Sequence, residues 1–161
     1  MKFKKILAIA IATMTITANL SLLPVSASTT NSNFAIVIQS GKVNKDTVGV
    51  RKKANTSSVY LNYKNQVNGS SSSGPTKFRA YVYGSATSNG TMSDCTCYNT
   101  SIATYPVVTR GTKGFVKQVV CERLGRGSYA LLYGSSAGST GIARGCWSPD
   151  SVSESGTVNY N

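Results

Sequence analysis

The residue types with the most chemistry to offer in this 161-residue sequence are four cysteines and five carboxylates. They are Cys95, Cys97, Cys121 and Cys146, and Asp46, Asp94, Glu122, Asp150 and Glu154. Histidine is absent. A thiol or serine nucleophile usually takes its activation from a neighbouring imidazole, so that absence closes the commonest route to acyl transfer. The stretch "GSSAG" (134–138) has the G-x-S-x-G form that would present Ser136 as a nucleophile on a strand–turn–helix elbow. No helical pattern follows it and no histidine can join it, so it reads as a Gly/Ser loop. Zinc sites favour C-x₂₋₄-C knuckles, often completed by histidine, and the D-x-D-x-D-G calcium loop is missing. No catalytic, metal-binding or cofactor-binding residue is expected.

One enzymatic alternative remains. A glycosidase sets two carboxylates across a cleft. Asp94 and Glu122 each adjoin a cysteine and Asp150 lies just beyond Cys146, so the three could gather where the cysteines meet. Pairing with Arg123, Arg144 or other basic neighbours is the simpler expectation. The cysteines themselves read as two disulfides if the chain is exported. Cys95 and Cys97 form C-x-C, and on a strand both side chains leave the same face. Joining them to each other would strain the ring. Each is therefore expected to reach one of Cys121 and Cys146, with the pairing open, and each closure would contribute roughly 3.5–4 kcal/mol.

Export is written at the N-terminus. Lys2, Lys4 and Lys5 precede the apolar run "ILAIAIATMTITANLSLL", and "PVSA" puts Val25 and Ala27 at the small-residue positions of a cleavage site. Residues 1–27 are read as a cleaved secretory signal and 28–161 as one secreted domain, long enough for a core. No second apolar span follows, so no transmembrane segment is expected after cleavage. The sequence carries a formal net charge of +12, and without the signal it keeps fourteen basic against five acidic side chains.

Such a balance favours anionic partners outside a cell: an anionic envelope polymer, an acidic lipid surface or an acidic polysaccharide. The charge lies in two blocks, Lys42, Lys45, Arg51, Lys52 and Lys53, and Arg110, Lys113, Lys117, Arg123 and Arg126. These ten are the candidate contacts for an anionic ligand. Tyr81, Tyr83, Tyr98 and Tyr105 could add rings that stack on sugars. No nucleic-acid motif is present.

The elements that must position these residues are strands. Short β-branched and aromatic runs alternate with Gly, Ser, Asn and Thr clusters. They predict nine strands, at 33–40, 47–54, 58–64, 77–84, 103–110, 115–122, 128–134, 141–147 and 156–160. In "KFRAYVY" the positions Phe78, Ala80 and Val82 share one face and Lys77, Arg79, Tyr81 and Tyr83 the other. Glycines in "GTKG" (111–114) and "LGRG" (124–127) suit hairpin turns and predict a meander over 103–134, with 141–147 following it. "AYVYGS" (80–85) echoes "ALLYGS" (130–135), and nothing else aligns at that offset. The fold expected is a single all-β, antiparallel β-sandwich, jelly-roll-like or an open barrel, stapled by disulfides.

"ARGCWSPDS" (143–151) holds the only tryptophan. Trp147 is expected to plug one end of the core beside a disulfide, with Ser148–Ser151 forming a turn around Pro149. It is also the candidate aromatic contact should its ring be exposed. The signal, the polar β composition and the closing "GCWSPDSV" (145–152) together resemble small secreted proteins of Gram-positive bacteria that lack an assigned activity. That resemblance transfers no catalytic residue. The leading expectation is a secreted, non-enzymatic, basic β protein that binds an anionic partner. The alternatives are an antimicrobial, bacteriocin-like protein and a glycan-active enzyme using Asp94, Glu122 or Asp150.

Overall fold

The computed structural model describes residues 30–64, 66–67, 70–71, 74–97 and 104–160. The expected signal (1–27), Tyr98 and parts of the 68–75 loop lie outside the described residues. Strands β1 (Ser32–Ile38), β2 (Asn44–Lys45), β3 (Arg51–Lys52) and β4 (Val59–Lys64) come first. A two-stranded ribbon, β5 (Gln66–Val67) and β6 (Ser70–Ser71), precedes the long β7 (Lys77–Ser85) and the short β8 (Ser93–Asp94). Then follow β9 (Val107–Thr109), β10 (Lys113–Val116), helix α1 (Val120–Leu124), β11 (Tyr129–Ser136), β12 (Gly141–Ser148) and β13 (Val158–Tyr160). Among the described residues the fold is all-β apart from that single helical turn.

The strands form two main sheets. The first runs β1–β12–β4–β10–β13, and the second runs β2–β11–β7–β8, with β3 also on β11 and β9 also on β7. All pairs are antiparallel except β10–β13, which is parallel. The expected meander does not form. β9 pairs with β7 in the second sheet and β10 with β4 in the first, so the Gly111 turn carries the chain from sheet to sheet. Gly111 has the positive φ expected of it (81°), but nothing in a turn's chemistry says which strand lies beside the next.

The run 115–122 also divides. It leaves β10 after Val116 and coils into α1, which packs Val120 and Leu124 over Gly84 of β7. A Cβ at Gly84 would stand 3.0 Å from both side chains, so the bare glycine is the seat of the helix. The Gln118 side chain accepts from the Val120 N–H at 2.6 Å, which starts the turn.

One apolar cluster joins the two sheets. Phe34, Ile36 and Ile38 of β1, Leu61 and Tyr63 of β4, and Ala143 and Trp147 of β12 meet Phe78, Ala80 and Val82 of β7 and Leu132 of β11. Burying each large member contributes about 1.5–3 kcal/mol. Close approach needs Gly145, because a Cβ there would lie 2.1 Å from the Asn62 carbonyl and 2.7 Å from the Phe34 ring. Edge strand β1 is covered: Asp46 Oδ1 accepts from the Ala35 N–H at 2.9 Å, and Asn44 donates to the Val37 carbonyl at 2.6 Å.

Candidate binding face

The two echoing stretches are hydrogen-bonded neighbours. β7 and β11 run antiparallel with Tyr81 opposite Tyr133, Tyr83 opposite Leu131 and Ser85 opposite Tyr129. Strand alternation explains the shared text. Ala80, Val82, Gly84, Ala130, Leu132 and Gly134 turn inward, where only small or aliphatic groups fit, and the tyrosines turn out. Across the pair the diagonal Tyr83 and Tyr133 rings stack at 4.2 Å and 28°. Tyr105 lies against Tyr81 at 4.5 Å. The result is a tyrosine-covered outer face on the second sheet.

Basic side chains border it. Lys45 is register partner to Tyr133 and Lys52 to Tyr129, so both exposed lysines share the tyrosines' face along one side. Lys77 and Arg79 share it at one end, on β7 before Tyr81. Asp94 is the carboxylate of this face, and its oxygens accept from Thr96 Oγ1 at 2.6 Å and Tyr105 Oη at 3.0 Å. Burial, together with the bond to Asp94, pushes the Tyr105 phenol up to about 12. Burial first, then Asp94 and neighbouring phenols, raises Tyr83, and burial raises Tyr133. All three rings are therefore neutral, with apolar faces, at physiological pH. Arg79 donates to the Ser136 carbonyl, which holds its side chain along the sheet. Tyr81 Oη bonds Ser135 Oγ at 2.8 Å.

The ten basic candidates do not converge. Lys45 and Lys52 are on the tyrosine face, and Lys42 is exposed in the turn before β2. Lys53 is a correction. It is wholly buried, with Nζ donating to the Ser57 and Pro149 carbonyls at 2.6 Å and to Asp150 Oδ1 at 3.1 Å, so it cannot meet a ligand. Burial lowers its pKa, and Asp150 partly offsets that. Arg51 lies over the Trp147 ring, 5.6 Å from its centroid, and donates to the Trp147 carbonyl at 3.0 Å.

In the second block, Lys113 pairs with Glu154 at 2.7 Å, and Glu154 in turn accepts from Tyr60 on the outer face of the first sheet. Arg123 donates to the Asp94 backbone carbonyl at 2.9 Å. Arg110 is half-buried in the turn after β9, while Lys117 and Arg126 are exposed. Trp147 is also a correction as an aromatic contact: its ring is fully buried in the core. Its Nε1 and Asp46 Oδ2 are both buried without a hydrogen bond, although the indole lies near enough to favour the carboxylate. Burial outweighs that and raises Asp46.

The disulfide expectation is overturned. All four cysteines are free thiols, with Cys95 and Cys121 buried and Cys97 and Cys146 half-buried. The reason is geometric. Cys146 alternates outward on β12, opposite Asn33 and Asn62, while Trp147 beside it turns into the core. Cys95 belongs to the apolar cluster, and Cys121 sits on α1 with its thiol 3.8 Å from the Lys53 carbonyl. Burial raises the thiol pKa of Cys95, Cys121 and Cys146.

The carboxylates are also dispersed in role. Asp150 is buried on Lys53 and the Ala54 N–H, Asp94 lies on the tyrosine face, and Glu122 is exposed on α1. Ser136 ends β11 in a tight turn, where its Oγ accepts from the Gly138 N–H at 3.1 Å and donates to the Ser139 carbonyl at 2.9 Å. Among the described residues no three His, Cys, Asp or Glu side chains gather as a metal-ligand set, and no helix is long and apolar enough to cross a membrane. Tyr129 and Tyr133 were not singled out by sequence reasoning. The echo held the signal, since two strands with the same inward small residues and outward rings are natural neighbours.

These features define an all-β protein of two sheets with a ring-covered, basic-bordered outer face. The chain belongs to the family described as "Protein of unknown function (DUF2712)", whose profile matches residues 22–151. No curated protein and no solved structure matches it.

Proposed function

We propose that the chain is a secreted, non-enzymatic binding protein that holds an anionic partner against the tyrosine face of its second sheet. In this reading the two sheets act as a β-sandwich whose core serves to keep that face rigid. The observation that carries it is the common face of Lys45, Lys52, Lys77 and Arg79 with Tyr83 and Tyr133 between them. The one carboxylate described there, Asp94, is occupied by Thr96 and Tyr105 and so opposes an incoming anion less. Basic side chains on an exposed sheet draw an anion by Coulomb attraction over about 10 Å at 0.1 M salt and about 3 Å at 1 M.

The test is retention on an immobilised polyanion. The protein should elute as salt rises, and K45E/K52E should elute earlier, whereas K117E/R126E should shift less because those residues lie outside the face. Equal shifts for the two double variants would reduce the reading to general basicity.

A further inference from the structure

We infer, on the reading that this face takes an anionic partner, that the partner is a polysaccharide of pyranose rings bearing carboxylates. Three observations specify it. The centre of the face is aromatic and uncharged: Tyr83 and Tyr133 are stacked, half-exposed and neutral. A phenol ring offers an apolar surface on which the C–H face of a pyranose lies flat, whereas a polyphosphate chain, which has no ring, would set its anions over phenols that cannot compensate them.

The cations stand at the border, and they are spaced. Lys45 pairs with Tyr133 and Lys52 with Tyr129, four residues apart on β11, which is about 14 Å at about 3.4 Å per residue. Cations that far apart reach carboxylates on different rings of one polymer, with ring surface lying on the tyrosines between them. Finally, among the described residues the hydroxyls of Tyr83, Tyr129 and Tyr133 have no hydrogen-bond partner in the protein, while those of Tyr81 and Tyr105 are engaged by Ser135 and Asp94. Three free phenol hydroxyls on one face can donate to and accept from sugar hydroxyls.

The experiment is calorimetric titration at fixed low salt with three probes: polygalacturonate, inorganic polyphosphate and neutral dextran. The proteins are the parent chain, Tyr83→Ala, Tyr83→Phe and K45Q/K52Q, each checked for folding by its thermal transition. Polygalacturonate should bind most tightly. Tyr83→Ala should weaken it about tenfold and leave polyphosphate binding unchanged, Tyr83→Phe should stay within about threefold of the parent, and K45Q/K52Q should weaken both polyanions.

If Tyr83→Phe loses as much as Tyr83→Ala, the ring is not the stacking surface and the inference is overturned. If polyphosphate binds as tightly as polygalacturonate and Tyr83→Ala affects both alike or neither, the pyranose inference fails while the anionic reading stands. If neither polyanion binds, both fall.

Discussion

Replacing Asp150 by alanine should remove a large share of the protein's stability, and the size of the loss follows from what surrounds it. Asp150 and Lys53 are both wholly buried and 3.1 Å apart. Asp150 also accepts from the Ala54 N–H at 3.2 Å, and Lys53 keeps the Ser57 and Pro149 carbonyls. Removing the carboxylate leaves an ammonium in the interior with two neutral acceptors and strands the Ala54 amide. Breaking a buried pair on one side costs about 3–5 kcal/mol. For a domain of this size that lowers the melting temperature by about 10–20 °C, from a total stability of about 5–15 kcal/mol.

K53M/D150N should recover much of the loss, because an asparagine still accepts from Ala54 while the uncompensated ammonium is gone. The assay is chemical and thermal unfolding of the parent, K53M, D150N and K53M/D150N as a double-mutant cycle, with Asp150→Ala measured beside them and a coupling of at least about 2 kcal/mol expected. A loss below about 1 kcal/mol for Asp150→Ala, the range of an exposed pair, would refute the reasoning.

Other perturbations test other contacts. Gly145→Ala must displace either the Asn62 carbonyl or the Phe34 ring, so it should destabilise by about 2 kcal/mol or more in denaturant melts, and a neutral result would contradict the β12–β4 approach. Because Asp46 is raised above 3.8, its contribution is present below 3.8 and is lost as pH rises through the folded value. The parent should therefore gain stability relative to Asp46→Asn as pH is lowered from 7 toward 3.8, and a pH-independent difference would argue against a buried carboxyl. Glu154 has the opposite sign: its pKa is lowered, chiefly by Lys113, so its contribution fades as pH falls through the folded value, and Lys113→Gln should flatten that part of the profile. Thiol labelling of the native protein should reach Cys97 and Cys146 before the buried Cys95 and Cys121, with four thiols counted after unfolding without reductant. Fewer than four would restore a disulfide.

How much of this was legible beforehand varies by element. Strands at 32–38, 59–64, 77–85, 129–136 and 141–148 were legible from their β-branched and aromatic runs, and the division of "KFRAYVY" into an apolar and a tyrosine face from alternation. Those features are local: a strand's side chains alternate whatever it pairs with. Trp147 as a core plug was legible from its place at a strand end, and the structure buries it fully, without the disulfide expected beside it. The helix at Val120–Leu124 was not legible, because "FVKQVVCE" satisfies a strand pattern and only the seat on Gly84 decides for a coil.

By itself the sequence determined the all-β class, the two faces of the 77–85 strand, the lack of histidine and the excess of positive charge. Tertiary structure decided everything that depends on which strands are neighbours. It brought "AYVYGS" and "ALLYGS" together as one face, and carried the chain between sheets at Gly111. It took Lys53 out of the basic block into a buried pair and left the four cysteines apart. Pairing is a contest among long-range contacts, where burial and close approach are settled by the whole core. A run of residues read alone carries its own alternation, and not the identity of the strand beside it.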